Sequence, residues 1–255
     1  MPLNVPGILV PFHLLINSRI VLPGLCVRDI RHLDFEALRR AGYRGAIFDK
    51  DNCLTIPYKD ELVPELKDAW NKCRETFGEG NVLIVSNSAG TKLDPGGIQA
   101  ESVRHHLLAP VLFHSSMKPS YSCIHGIRAY FSSLRSPIRD EELIVVGDRI
   151  FTDIVMANRM RKRVSKLASS PSDSVPPVAE EKSQRSEVGP LAIWTTGVWK
   201  KEAMALRWME SKLVDAVRKW TQVSEPPENI RFIQEVPEPP QSEGFLARTL
   251  SRFRS

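Results

Sequence analysis

Residues 45–55 read GAIFDKDNCLT, an apolar run from Gly45 to Phe48 that ends in Asp49 and Asp51 with Lys50 alone between them. An apolar run without alternating polar residues is the pattern of a strand covered on both faces of a sheet. Carboxylates this close raise each other's pKa and cost free energy unless a cation or a reaction uses them. The stretch therefore predicts a buried strand that delivers two acids to a site at its C-terminal end.

Four more apolar runs read as strands: NVLIVSN (81–87), PVLFHS (110–115), ELIVVGD (142–148) and PLAIWTT (190–196). Helical patterns fall between them at about 62–77, 98–108, 120–134 and 152–162. Another at about 200–220 carries Ala203, Leu206, Met209, Leu213, Val217 and Trp220 on one face. Strand and helix in alternation predict an α/β fold, a central parallel sheet with helices on both faces. Right-handed crossovers then put every loop that follows a strand on one edge.

The composition suits one domain with extensions. The chain has 255 residues, 42% hydrophobic and 25% charged, with a net charge of +5. Mild basicity favours anionic membranes, nucleic acid or phosphorylated substrates without choosing among them. Cys26, Cys53, Cys73 and Cys123 form no CxxC pair, which argues against a zinc or disulfide framework and for a reducing compartment.

Residues 43–222 are read as the domain, with a Ser- and Pro-rich mobile insertion at about 165–190. Residues 1–42 form an N-terminal segment. Its run over residues 6–25 is acid-free and broken by Pro11 and Pro23, so it suits an interface, a targeting signal or ordinary packing rather than a membrane span. Residues 223–255 form a Pro- and Glu-rich tail with a basic amphipathic end, GFLARTLSRFRS, which reads as a membrane foot or a frayed terminus. The basic run RMRKR (159–163) falls at the far end of its helix from the strand ends.

Ligands of open parallel sheets bind at the carboxyl ends of the strands. There this sequence places Asp49 and Asp51, then Ser86 and Asn87, then Lys118, then Asp148 and Asp153 of GDRIFTD. Clustered carboxylates become tolerable around a hard cation, and an all-oxygen site suits Mg²⁺. A cation, a lysine and a hydroxyl together can hold a phosphoryl group during transfer, leaving one Asp as nucleophile and a neighbour as acid and base.

This order of motifs resembles the haloacid dehalogenase superfamily of phosphatases over roughly residues 43–160: DKDNCLT, LIVSNS, MKP and GDRIFTD. The resemblance implies a Rossmann-like fold, with Asp49 forming an aspartyl-phosphate and Asp51 as general acid and base. It further implies that Ser86 and Lys118 hold the phosphoryl group. Mg²⁺ would be bound by Asp49, the Asp51 backbone carbonyl and Asp148, with Asp153 in support. The finer text, FDKDN, SNSAG, KP and GDRIFTD followed by AN, is similar to the mitochondrial phosphatidylglycerophosphatase branch and its bacterial relatives. That likeness implies removal of the terminal phosphate of phosphatidylglycerophosphate on the route to cardiolipin, at the matrix face of the mitochondrial inner membrane, as a peripheral protein. Cys53 departs from the superfamily's usual Thr or Val and is read as packing.

The spacing leaves no room for a large cap domain. Roughly 30 residues separate Asp51 from the next strand, and a similar interval precedes Lys118, where a folded domain needs some 50 or more. An open site suits a large or embedded substrate, or cover from a neighbouring subunit in a homo-oligomer. Lys59, Lys92, Lys118 and Arg149 are expected to gather positive charge at the mouth, where an anionic membrane and a substrate with two phosphates would meet it; Asn87 joins the substrate-binding set. No nucleic-acid partner is expected. The alternative substrates are a soluble phosphomonoester, a phosphoprotein or a nucleic-acid end.

Overall fold

The computed structural model describes residues 17–163, 187–222 and 227–236. In chain order the elements are β1 (Leu25–Val27), α1 (Phe35–Arg40), β2 (Gly45–Phe48), α2 (Lys67–Phe77), β3 (Val82–Ile84), α3 (Ile98–Leu107), α4 (Tyr121–Ser133), β4 (Leu143–Gly147) and α5 (Val155–Met160). Then come β5 (Lys162–Arg163), β6 (Glu187–Val188), β7 (Leu191–Thr195), α6 (Met204–Thr221) and α7 (Pro227–Ile230). Five strands form one sheet in the order β1-β7-β4-β2-β3, and every pairing in it is parallel.

Successive residues of each central strand face opposite sides, which builds two cores. Ala46 and Phe48 of β2 pack with Trp70 and Phe77 of α2 and Val103 and Leu107 of α3. Ile47, between them, packs with Ile124, Ile127 and Phe131 of α4 and with Val155 of α5 and Val214 of α6. Because both faces are covered, all four residues of β2 are buried, and the unbroken apolar run follows from that. Trp70 Nε1 donates to the Leu107 carbonyl at 2.8 Å, tying α2 to α3 while satisfying its one polar atom.

The α/β architecture with helices on both faces is the one expected, with three differences in detail. The run PVLFHS does not form a strand. Val111 makes one parallel bridge to Ile84, then the chain turns away, with the His114 N–H donating to the Gly90 carbonyl at 2.9 Å. Pro110 brings no N–H to a ladder, and Phe113 is left exposed. The fifth strand is instead β1, inside the segment 1–42 that the sequence reading set apart. Its residues 17–42 are built into the fold, with Val21, Leu25, Phe35 and Leu38 all buried.

The third difference is the face that α6 turns inward. Its buried residues are Glu210, Val214 and Val217, while Met209 and Trp220 from the expected apolar face are 53% and 81% exposed. Of the expected insertion, residues 187–190 are described, and β6 pairs antiparallel with β5; its stretch 165–186 lies outside the described residues. So do residues 6–16 of the suspected interface segment and the basic end of the tail. Among the described residues no helix is long and apolar enough to cross a membrane.

Candidate active site

The chain leaves β2 to pair β3 on one side, then returns to place β4 on the other side of β2. The carboxyl ends of β2 and β4 therefore flank the point where strand order reverses, the usual position of a ligand crevice. Asp49 follows β2 and Asp148 follows β4 at this point. Gly147 lets the site close up: a Cβ there would overlap Asp153, meeting its Oδ2 at 2.6 Å.

Asp49, Asp148 and Asp153 each offer an oxygen, all within 4.8 Å of one another. Lys118 is driven into this cluster. Its Nζ donates to Asp49 Oδ1 at 2.6 Å and to Asp153 Oδ1 at 2.7 Å, and its side chain is 2% exposed. Burial alone would lower the Lys118 pKa, but Asp153 and Asp49 more than reverse it and keep the ammonium charged. Burial, then the neighbouring Asp49 and Asp153 charges, pushes the Asp148 carboxyl well above the usual range, with Arg207 opposing. Burial likewise raises Asp153, with Lys118 opposing.

Asp153 is held further by the Arg149 N–H at 3.2 Å and the Thr152 hydroxyl at 3.1 Å, both on Oδ2. Arg207 of α6 pairs with Asp148 Oδ2 and donates through Nη1 to the Asp148 carbonyl at 3.2 Å. Three carboxylates thus share Lys118 and Arg207, with the partly exposed Arg149 3.9 Å from Asp148, in an all-oxygen donor set. That chemistry fits a hard divalent cation.

Asp51 stands apart from the triad. Its Oδ1 accepts from Lys50 Nζ at 2.7 Å and from the Tyr58 N–H at 3.2 Å, and its Oδ2 from the Ser88 hydroxyl at 3.3 Å. Ser88 links onward to Ser86 Oγ at 2.9 Å, so Asp51 and the predicted phosphate-holding hydroxyl share one short network. Lys50 is fully buried, bonding the Lys59 carbonyl at 2.9 Å and lying 3.7 Å from Asp60. It folds the loop back so that Asp51 is presented from a fixed position.

Asn87 serves Lys118. Its Oδ1 accepts from the Lys118 N–H at 2.7 Å and its Nδ2 donates to the Lys118 carbonyl at 3.4 Å. His114 bonds the Ser86 carbonyl at 2.9 Å and the Ser116 carbonyl at 2.7 Å, tying the loop after β3 to the Lys118 segment. Burial lowers its pKa. Arg159 donates to the Pro119 carbonyl at 2.6 Å and lies 5.4 Å over the Tyr121 ring, so the first residue of RMRKR braces this segment.

The expected basic rim is smaller than the sequence suggested. Lys59 and Lys92 are exposed, Arg149 is partly exposed and lies 3.9 Å from Asp148 Oδ2, and Lys118 is buried among the acids rather than at the mouth. Cys53 is buried, with burial then Asp49 pushing its thiol up, which leaves it a packing residue. Sequence reasoning passed over Lys50, Ser88, His114, Arg207 and Glu210. Lys50 alone had a visible signal, as the one cation inside the acid pair.

A family model described as mitochondrial PGP phosphatase matches residues 5–165. The chain is 42% identical over 144 residues to phosphatidylglycerophosphate phosphatase 1, chloroplastic, of Chlamydomonas reinhardtii, covering 56% of this chain and 51% of that protein. It is 37% identical over 159 residues to the chloroplastic/mitochondrial phosphatidylglycerophosphate phosphatase 1 of Arabidopsis thaliana, covering 62% and 44%. A mitochondrial phosphatidylglycerophosphatase of Saccharomyces cerevisiae is 35% identical over 158 residues, covering 62% of this chain and 83% of that one. The chain thus spans about half the length of the two plastid-associated relatives and most of the yeast protein. No solved structure matches the chain.

Proposed function

Because the chain belongs to the mitochondrial PGP phosphatase family, we propose that it hydrolyses the terminal phosphate of phosphatidylglycerophosphate, leaving phosphatidylglycerol for cardiolipin synthesis. The supporting observation is the separation of the acids. Asp49 is fixed by Lys118 inside the carboxylate triad, while Asp51, two residues on, faces the Ser86–Ser88 hydroxyls.

Asp49 attacks phosphorus as the bond to the glycerol oxygen breaks, and Asp51 gives that oxygen its proton. Asp51 then takes a proton from the water that attacks the aspartyl-phosphate, which releases phosphate and restores Asp49. Lys118 and Ser86 hold the phosphoryl oxygens, and Asn87 fixes the Lys118 backbone for that task. Asp49, Asp148 and the Asp51 backbone carbonyl would hold Mg²⁺, with Asp153 in support, supplying neutralisation of the phosphoryl charge. The fit is the all-oxygen donor set described above.

The same reading puts the protein at the matrix face of the mitochondrial inner membrane, attached peripherally to anionic lipid. The mitochondrial relative from yeast and the exposed Lys59 and Lys92, in the loops that follow β2 and β3, support it. The exposed Trp208 and Trp220 of α6 support a homo-oligomer.

A phosphate-release panel with Mg²⁺ tests the substrate. Phosphatidylglycerophosphate in mixed micelles is compared with a soluble phosphomonoester, a phosphopeptide and a 5′-phosphorylated oligonucleotide. The lipid is expected to be turned over fastest. Equal rates on the soluble compounds overturn the lipid assignment, and no release from any of them overturns the chemistry.

A further inference from the structure

The catalytic motifs end at Asp153, yet α6, far outside the matched residues, sends two polar side chains back to the site, one buried and one nearly so. Arg207 is 10% exposed and Glu210 is 1% exposed. A buried guanidinium costs several kcal/mol unless it is paired, so its partners show what it is there for. Arg207's guanidinium bonds a single residue in the two contacts described above, the carboxylate and the carbonyl of Asp148. Glu210, one turn on, accepts from the Phe151 N–H at 3.2 Å. The segment 148–151 is therefore gripped at both ends from one helix, while Trp194 Nε1 donates to the Asp148 carbonyl at 3.1 Å from β7.

We infer that Arg207 is a positioning residue for the metal ligand Asp148, with Glu210 as its second hold on the loop, so that α6 completes the cation site. The inference rests on the metal-dependent reading above. The physical reason is geometric. A planar, forked donor bound to both the backbone and one carboxylate oxygen fixes the rotation of that carboxylate. Held this way, Asp148 keeps an oxygen within 4.8 Å of those offered by Asp49 and Asp153. Without the fork, no described hydrogen bond stops the Asp148 carboxylate from rotating away from the cluster. The same demand explains why α6 turns Arg207 and Glu210 inward and leaves Met209 and Trp220 in solvent.

The test is calorimetric titration of Mg²⁺ into the full-length protein and its Arg207→Ala, Arg207→Lys and Asp148→Ala variants, with folding checked by circular dichroism. A partner that orients a metal ligand typically changes affinity by about 10–100-fold. Arg207→Ala is expected to weaken Mg²⁺ by that factor, and Arg207→Lys to fall between, since it keeps the charge and loses the fork. A purely structural role would lower the thermal midpoint and leave the dissociation constant of the folded protein unchanged, which overturns the inference. Tighter binding in Arg207→Ala overturns it as well, because Arg207 would then be competing with the cation. Undiminished binding in Asp148→Ala overturns the metal site itself, and so separates failure of that reading from failure of this one.

Discussion

Lys118 Nζ donates to Asp49 Oδ1 at 2.6 Å inside a site where 2% of the lysine side chain reaches solvent. This pair joins the proposed nucleophile to the only lysine among the triad's neighbours that the described hydrogen bonds place inside it. Lys118→Met removes the cation and leaves Asp49 and Asp153 facing each other. The expected cost is about 3–5 kcal/mol, the range for breaking a buried pair from one side. Urea unfolding should show it, and turnover should be lost at the same time.

Asp49→Asn separates chemistry from stability. The amide cannot attack phosphorus, but it fills the same volume and removes one of three crowded negative charges. Turnover should vanish while the unfolding midpoint holds or rises. Wild-type-like phosphate release from this variant would remove the aspartyl-phosphate mechanism.

Asp94 sets a pH dependence. Burial alone would raise its carboxyl, but the Gly90, Gln99 and Ala100 N–H groups, at 2.9, 2.8 and 2.8 Å, outweigh this and hold it below the usual carboxylate range. A depressed folded pKa means stability that is fully present above the unfolded value near 3.9 and lost as pH falls through the folded value. Asp94→Asn should therefore cost about 1–3 kcal/mol at neutral pH. The gap from wild type should close below about pH 4 as Asp94 itself protonates. A gap that stays constant down to pH 2 would show that the three donors are not what stabilises the loop.

The cysteines should be inert in the folded protein. Burial pushes Cys123 up to about 12 and raises Cys53 and Cys73 well above the ordinary thiol value. The thiolate is the reactive form, so a disulfide exchange reagent at pH 8 should label Cys26 alone, the one that is not buried. All four should react in denaturant. Rapid labelling of Cys53 in the native protein would mean that the site opens far more readily than its packing allows.

The residues of the site that were legible in the sequence are those whose position follows from a strand end. Asp49, Ser86 and Asp148 sit just past apolar runs, and a parallel sheet puts all such positions on one edge. Lys118 was legible through its motif, since the run before it is a single bridge rather than a strand. Arg207 and Glu210 were hidden because apolar periodicity points a helix by its hydrophobic residues. Here an ion pair from Arg207 and a backbone hydrogen bond to Glu210 outweigh that stripe and rotate α6, which periodicity cannot express. β1 was hidden for another reason. Three residues that begin at the end of a longer proline-broken run carry too little pattern to separate an edge strand from an interface segment.

Gly147 offers the narrowest test of the arrangement, because it changes the geometry of the acids without removing one. A Cβ at this position would overlap Asp153 Cβ and Cγ and meet its Oδ2 at 2.6 Å. Neither partner can yield cheaply: Gly147 is the last residue of the central strand β4, and Asp153 is held by Lys118, Thr152 and the Arg149 N–H. Gly147→Ala must therefore push Asp153 off Lys118, which unbalances the pair that fixes Asp49. Overpacking a rigid site costs about 1–3 kcal/mol, and a displacement near 1 Å is enough to reduce turnover by about 100-fold. The variant should fold with a lowered thermal midpoint and lose turnover on every phosphomonoester, lipid or soluble, by a similar factor. A loss confined to the lipid substrate would place the effect at the mouth of the site, and normal turnover would show that Asp153 is not held where the structure puts it.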